Sequence, residues 1–150
     1  MKKDELEKFL LNARTKTYAA AEGKTEVILP GSDQYEYSEG DFIYRDIYYT
    51  GNGIFSGLET VYFKATPVWS MSYFGNFSKM TEKQADGMLR KALMDNWETT
   101  RIYKWVEKDY GDFKYMCDGV GTLDELSGTE EIYANDKKVY FFYYAGGFIG

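Results

Sequence analysis

Histidine is absent from the 150-residue chain, cysteine occurs once and proline twice. Without an imidazole there is no Ser-His-Asp triad, no Cys-His dyad and no His-ligated metal within this chain. The lone thiol, Cys117, has no second Cys to close an internal disulfide and no partner with which to build a zinc site, so a reduced, partly buried apolar thiol is expected. Long apolar runs are missing too, because Tyr, Gly and charged residues interrupt every hydrophobic stretch short of the ~18 residues that a membrane-spanning helix needs. The start, Met1-Lys2-Lys3-Asp4-Glu5-Leu6-Glu7, turns acidic at once and leads into no apolar segment. It does not read as a signal peptide, and a cytoplasmic location is expected. Basic charge is scarce: 18 Lys+Arg face 24 Asp+Glu, a formal net charge of −6. Single-strand nucleic-acid binders combine ring stacking with a positive groove, and here the longest basic cluster is Lys137-Lys138, so nucleic acid is excluded as a direct partner.

What the chain has in excess is rings, with 15 Tyr, 10 Phe and 3 Trp. Its length suits one domain, and at this size roughly 68–70% of the unfolded surface can be buried without metal or disulfide staples. Leu6, Phe9, Leu10 and Ala13 fall at i, i+3, i+4 and i+7, predicting a helix over about 4–15 with Asp4 capping its first turn. A connector follows, with a short extended piece at Glu26 to Leu29 and a turn cluster at Pro30-Gly31-Ser32-Asp33. From Tyr35 to Gly75 the period changes to two, and ring and β-branched residues concentrate in Phe42 to Thr50, Leu58 to Lys64 and Val68 to Phe74. Thr81 with Gln84 forms a capping box for a second helix, whose inward stripe is Ala85, Met88, Leu89, Ala92 and Leu93. Strand character returns at Phe113 to Cys117, Thr129 to Ala134 and Val139 to Tyr144, with Asn135-Asp136 as a tight hairpin turn. No internal repeat is legible. The predicted fold is α+β: a mainly antiparallel, strongly twisted sheet of about six to eight strands with two helices packed on one face.

Alternation assigns side chains to faces. In Phe42 to Thr50 it puts Phe42, Tyr44, Asp46 and Tyr48 on one side and Ile43, Arg45, Ile47 and Tyr49 on the other, so Arg45 and Asp46 cannot pair with each other. Arg45 is expected to pair with Glu59 or Glu130, since a charge left dry among rings costs several kcal/mol. If Ala65-Thr66 is a two-residue turn, Tyr62 lies opposite Trp69, Thr60 opposite Met71 and Leu58 opposite Tyr73. Neither turn residue favours positive φ, and a one-residue slip would exchange these partners. The same bookkeeping on the last hairpin groups Ile132 with Val139 and Phe141, and Tyr133 with Tyr140 and Phe142.

Familiar motifs fail on spacing. Gly51-Asn52-Gly53 with Gly57 is G-x-G-x-x-x-G and precedes a strand, so it is not a dinucleotide fingerprint, and no P-loop run exists. The acidic tract around Asp118, Asp124, Glu125, Glu130 and Glu131 lacks the alternate oxygen ligands of an EF-hand loop. No metal site and no cofactor are expected. Asp46, Glu59, Glu130 and Glu131 are the strand-borne carboxylates able to do acid/base work in principle, but no nucleophile and base read as a pair.

Tyr37-Ser38-Glu39-Gly40-Asp41-Phe42-Ile43-Tyr44-Arg45-Asp46, continuing through Gly57, Pro67-Val68-Trp69-Ser70-Met71-Ser72-Tyr73 and Gly75, resembles a prokaryotic family known as domain of unknown function 5680. Glu130-Glu131-Ile132-Tyr133, Val139-Tyr140 and Gly146-Gly147 resemble that family's closing hairpin. The likeness spans nearly the whole chain. It implies a module found alone or fused behind helix-turn-helix regulators of the XRE type, hence a sensory or interaction role, and it supplies no catalytic residue.

Together these readings favour a binding module whose ring-rich sheet face holds a small molecule or peptide. Tyr44, Arg45, Asp46, Tyr48, Tyr62, Trp69 and Tyr73 are the expected binding residues, with Asp46 orienting the ligand by accepting hydrogen bonds. The alternatives are a face that packs on a second copy or a partner chain and, ranked last, a metal-independent enzyme using Asp46, Arg45 or a Tyr.

Overall fold

In a computed structural model describing residues 1–150, the chain forms one eight-stranded antiparallel sheet with two helices. Helix α1 spans Lys3–Thr15 and a single 3₁₀ turn spans Tyr18–Ala20. A first meander follows: β1 Asp33–Glu39, β2 Phe42–Gly51, β3 Ile54–Phe63 and β4 Thr66–Asn76. Helix α2, Glu82–Asp95, leads to a second: β5 Trp105–Tyr110, β6 Phe113–Thr122, β7 Glu125–Ala134 and β8 Lys137–Phe148. The strand order is β1-β2-β3-β4-β8-β7-β6-β5, so the two meanders join through their last strands. No helix is long and apolar enough to cross a membrane.

Both helices bury the stripes their spacing predicts, Leu6, Phe9, Leu10 and Ala13 on α1 and Ala85, Met88, Leu89, Ala92 and Leu93 on α2. The α2 capping box forms as read: the Gln84 amide donates to Thr81 Oγ1 at 3.2 Å and the Thr81 amide to Gln84 Oε1 at 3.0 Å. On α1 the cap position is Lys2 rather than Asp4, and Glu5 accepts the Lys2 amide hydrogen bond at 3.2 Å. The piece Glu26 to Leu29 is not a strand; Val27, Ile28 and Leu29 are exposed. Instead β1 and β5 form the two sheet edges. Their charged residues, such as Glu36, Glu107 and Asp109, blur the alternation in the manner of edge strands, which charge protects against further pairing.

Contrary to the expectation of no repeat, the two meanders are copies of one plan. Gly40-Asp41-Phe42-x-Tyr44 recurs as Gly111-Asp112-Phe113-x-Tyr115. Ser56-Gly57-x-Glu59-x-x-Tyr62 recurs as Ser127-Gly128-x-Glu130-x-x-Tyr133, and Tyr73-x-Gly75-x-Phe77 as Tyr144-x-Gly146-x-Phe148, every equivalent pair 71 positions apart (42 to 113). β4 and β8 run antiparallel with Tyr73 paired to its own counterpart Tyr144, which places a pseudo-two-fold axis through the middle of the sheet.

The repeated hairpin also corrects the pairing. The β3–β4 turn residues are Lys64 and Ala65, both at positive φ (50° and 62°), so Phe63 pairs with Thr66. A bulge between Val61 and Tyr62 then sets Val61 opposite Trp69, and the β7–β8 hairpin repeats the device, with Asn135-Asp136 in the turn and a bulge between Ile132 and Tyr133. One extra residue exchanges the face that meets the partner strand. Glu59 and Val61, not Thr60 and Tyr62, therefore share the inner face with Trp69, Met71 and Tyr73; Ile132 likewise lies opposite Tyr140.

Each copy keeps a glycine beneath its central tyrosine. A Cβ on Gly57 would stand 2.3 Å from the Tyr73 hydroxyl oxygen, and one on Gly128 would stand 2.3 Å from that of Tyr144. Gly128→Ala is predicted to lower stability by about 1–3 kcal/mol through this overpacking, measured as a reduced urea midpoint.

Candidate ligand cup

Beneath each half of the sheet an arginine meets a buried glutamate. Arg14, in the last turn of α1, contacts Glu59 at 2.6 Å, and Arg101, in the segment after α2, contacts Glu130 at 2.9 Å. Glu59 and Glu130 are equivalent residues with side chains 2% and 0% exposed. Arg14 also donates to the Arg101 carbonyl at 2.9 Å, which ties helix α1 to the segment that carries the second arginine. The Tyr115 and Tyr140 hydroxyls donate to Glu130, so that carboxylate is saturated with donors.

The two halves diverge next to these pairs. In the second half, Cys117 occupies the position equivalent to Asp46 and Gly119 that of Tyr48. Gly119 admits the backbone of Ile102, whose carbonyl oxygen would lie 1.6 Å from a Cβ there; Ile102 itself is fully buried. The Ile102 carbonyl accepts the Tyr144 hydroxyl at 2.7 Å, and Cys117 Sγ, 3.7 Å from that hydroxyl, accepts the Arg101 amide at 3.3 Å. Burial pushes the Cys117 thiol up to about 11, so it is a packed, inert group. This half is plugged.

In the first half the space is open. A cup of about 230 Å³ lies between the inner sheet face, the 3₁₀ turn and α2, room for about seven or eight waters at their liquid volume. Rings of Tyr18, Tyr35, Tyr48, Phe55, Tyr73, Phe77 and Phe142 dominate its wall, with Asp46, Arg90 and Arg101 among the charged residues. Tyr35 and Tyr48 stack at 5.9 Å with their planes 7° apart, and Phe55 stacks on Phe142 at 5.9 Å. Arg101 lies over the Phe142 ring at 4.3 Å.

Asp46 is the unusual member. It is 7% exposed, and Tyr73 donates to its Oδ1 at 2.6 Å. No Lys or Arg bridges it, and Oδ2 makes no hydrogen bond within the protein although it is not sealed from solvent. Burial, reinforced by the charge of Glu59 directly across the β2–β3 ladder, raises its pKa from the ordinary carboxylate range to about 7, against the opposing pull of the Tyr73 hydrogen bond and the two arginines. Burial also holds the Tyr73 hydroxyl well above its usual range, so at neutral pH it is a donor and not a nucleophile.

Of the seven expected binding residues, Asp46, Tyr48 and Tyr73 line this cup. The others do not. Tyr44 and Trp69 are 2% and 0% exposed in the core, where Trp69 Nε1 donates to the Leu123 carbonyl at 3.2 Å. Arg45 and Tyr62 lie on the outer face, with Arg45 stacked over Tyr62 at 5.8 Å. Arg45 pairs with Glu36 at 2.7 Å rather than with Glu59 or Glu130, because Glu36 is its direct ladder partner on β1. Tyr18, Phe55, Phe77, Arg101 and Phe142 come from a connector, the β3 entrance, the exit of β4, the segment after α2 and β8. Of these only Phe77 carries a sequence signal, the Tyr73-x-Gly75-x-Phe77 repeat that comes to light with the structure.

Residues 46–149 match the model of the family described as Domain of unknown function (DUF5680). Comparison with curated proteins and with solved structures finds no match.

The raised Asp46 pKa carries a sign. Between the unfolded value near 3.8 and the folded value of about 7 the native state binds the extra proton, so this group's contribution to stability falls as pH rises through that window and is flat above it. Asp46→Asn removes the cost of ionisation, and the variant is predicted to gain on the wild type by up to about 4 kcal/mol as pH rises from 4 to 8. Urea denaturation of both proteins at each pH measures the difference.

Proposed function

We propose, for a chain that belongs to the DUF5680 family and takes no activity from that membership, a small-molecule binding role in which the ligand occupies the cup beside Asp46. One observation carries this reading: a duplicated frame whose second copy is filled by Ile102 and whose first copy keeps the equivalent volume open and replaces a thiol with a carboxylate. Filling a hollow with packed protein atoms stabilises a fold and a buried carboxyl costs stability, so the first half forgoes packing where the second shows that packing is attainable. Ring walls with a few convergent polar groups are the usual composition of a ligand site.

The outer face supports a second reading, self-association. Phe74, Tyr143 and Leu58 are 44%, 47% and 44% exposed, and Phe141 packs against Tyr143 at 5.0 Å. Rings grouped on a bare sheet face are a common mark of protein contact.

A fragment library read by methyl NMR separates the two. The Ala85 and Leu89 methyls line the cup, and Leu58 and Val120 mark exposed positions on other surfaces. Ligands that shift Ala85 and Leu89 alone are the expected result, and a library that leaves both unmoved contradicts the cup. Sedimentation at micromolar concentration tests self-association, and a strict monomer removes the homodimer.

A further inference from the structure

We infer that the cup selects a small organic cation, with its ammonium group beside Asp46 and its carbon skeleton against the surrounding rings. The inference rests on the proposed binding role of the cup and names its ligand class.

The charge on the wall is negative once internal pairs are removed. Arg101 is neutralised by two hydrogen bonds to Glu130, at 3.1 and 2.9 Å. Lys24 is held by Asp33 at 2.7 Å. Arg90 stacks on Tyr18 at 4.4 Å, donates to the Tyr18 carbonyl at 2.5 Å and stands 4.0 Å from Asp86, which also accepts the Tyr18 hydroxyl. Glu82, on the first turn of α2, has no cation partner, and neither has Asp46. A ligand carboxylate or phosphate entering the cup would thus meet cations already engaged and two unpaired carboxyl groups.

The unmet charge of Asp46 points the same way. The Tyr73 proton is spent on Asp46 Oδ1, and Oδ2 is left without a donor or a counter-charge. Rings present a negative face, and a desolvated cation over such a face is attracted by the ring quadrupole. A cation next to Asp46 also supplies the counter-charge that the protein withholds, relieving a buried carboxylate that is otherwise expensive. A neutral ligand of the same shape gains the ring contacts but not this compensation.

Choline is a suitable probe, compared with its neutral carbon isostere 3,3-dimethyl-1-butanol and with the anion 3,3-dimethylbutanoate, all titrated at pH 8 against the Ala85 and Leu89 methyl signals. Choline is expected to bind at least tenfold tighter than the alcohol, and Asp46→Asn to erase most of that preference. Glu82→Gln, at the mouth, is expected to weaken choline by less than Asp46→Asn does. If the alcohol binds as well as choline at the same methyls, the cup stands as a ligand site and the cation assignment falls. Preference for the anion overturns it in favour of recognition through Arg90. Silence from choline at tens of millimolar overturns it as well, and the fragment screen then judges the cup by itself.

Discussion

Two buried arginine–glutamate contacts hold the rest of this structure in place. Each glutamate sits at the same point of a repeated meander, inside the sheet's covered face, where an unpaired charge would cost several kcal/mol. Because Glu59 and Glu130 need counter-charges there, the chain must deliver an arginine to each. It does so by two routes, from the last turn of α1 and from the segment after α2. Arg14 then binds the carbonyl of Arg101, so the two charge pairs are linked and the connections around them are fixed together. The Arg101 side chain, held this way, forms part of the cup wall.

With that frame set, duplication makes the difference between the halves informative. Gly57 and Gly128 clear space for equivalent tyrosines, and the neighbouring pairs Asp46/Cys117 and Tyr48/Gly119 decide what each tyrosine meets. In one half the tyrosine donates to a backbone carbonyl and the space is packed. In the other it donates to an unbridged carboxylate beside a ring-lined hollow. Two copies of one plan therefore differ as a packed half and a half with an open hollow.

Much of the fold could be read from residue spacing. Helical stripes and the Thr81–Gln84 box located both helices, and period-two runs located six of the eight strands and placed two helices on one face. Within single strands the alternation was sound: Asp46 and Tyr48 do point away from Arg45. What spacing could not supply was the relation between strands. Lys64 and Ala65 adopt positive φ against their own preferences, and the Val61–Tyr62 bulge adds a residue that no side-chain pattern announces, so spacing alone puts Tyr62 on the face of Trp69. The repeat is faint in the sequence because its identical residues come in short groups, separated by positions such as Asp46/Cys117 that differ in polarity. Arg101 and Tyr18 reach the cup from the segment after α2 and from a single 3₁₀ turn, stretches too short for periodicity to register.

The central claim is that Asp46 is a desolvated, unbridged carboxyl facing open space. The most direct measurement is its own titration, followed by side-chain carboxyl ¹³C NMR with Asp46→Asn to assign the signal. The account predicts a midpoint near 7. A midpoint near 4, the ordinary value for a hydrated aspartate, would contradict it.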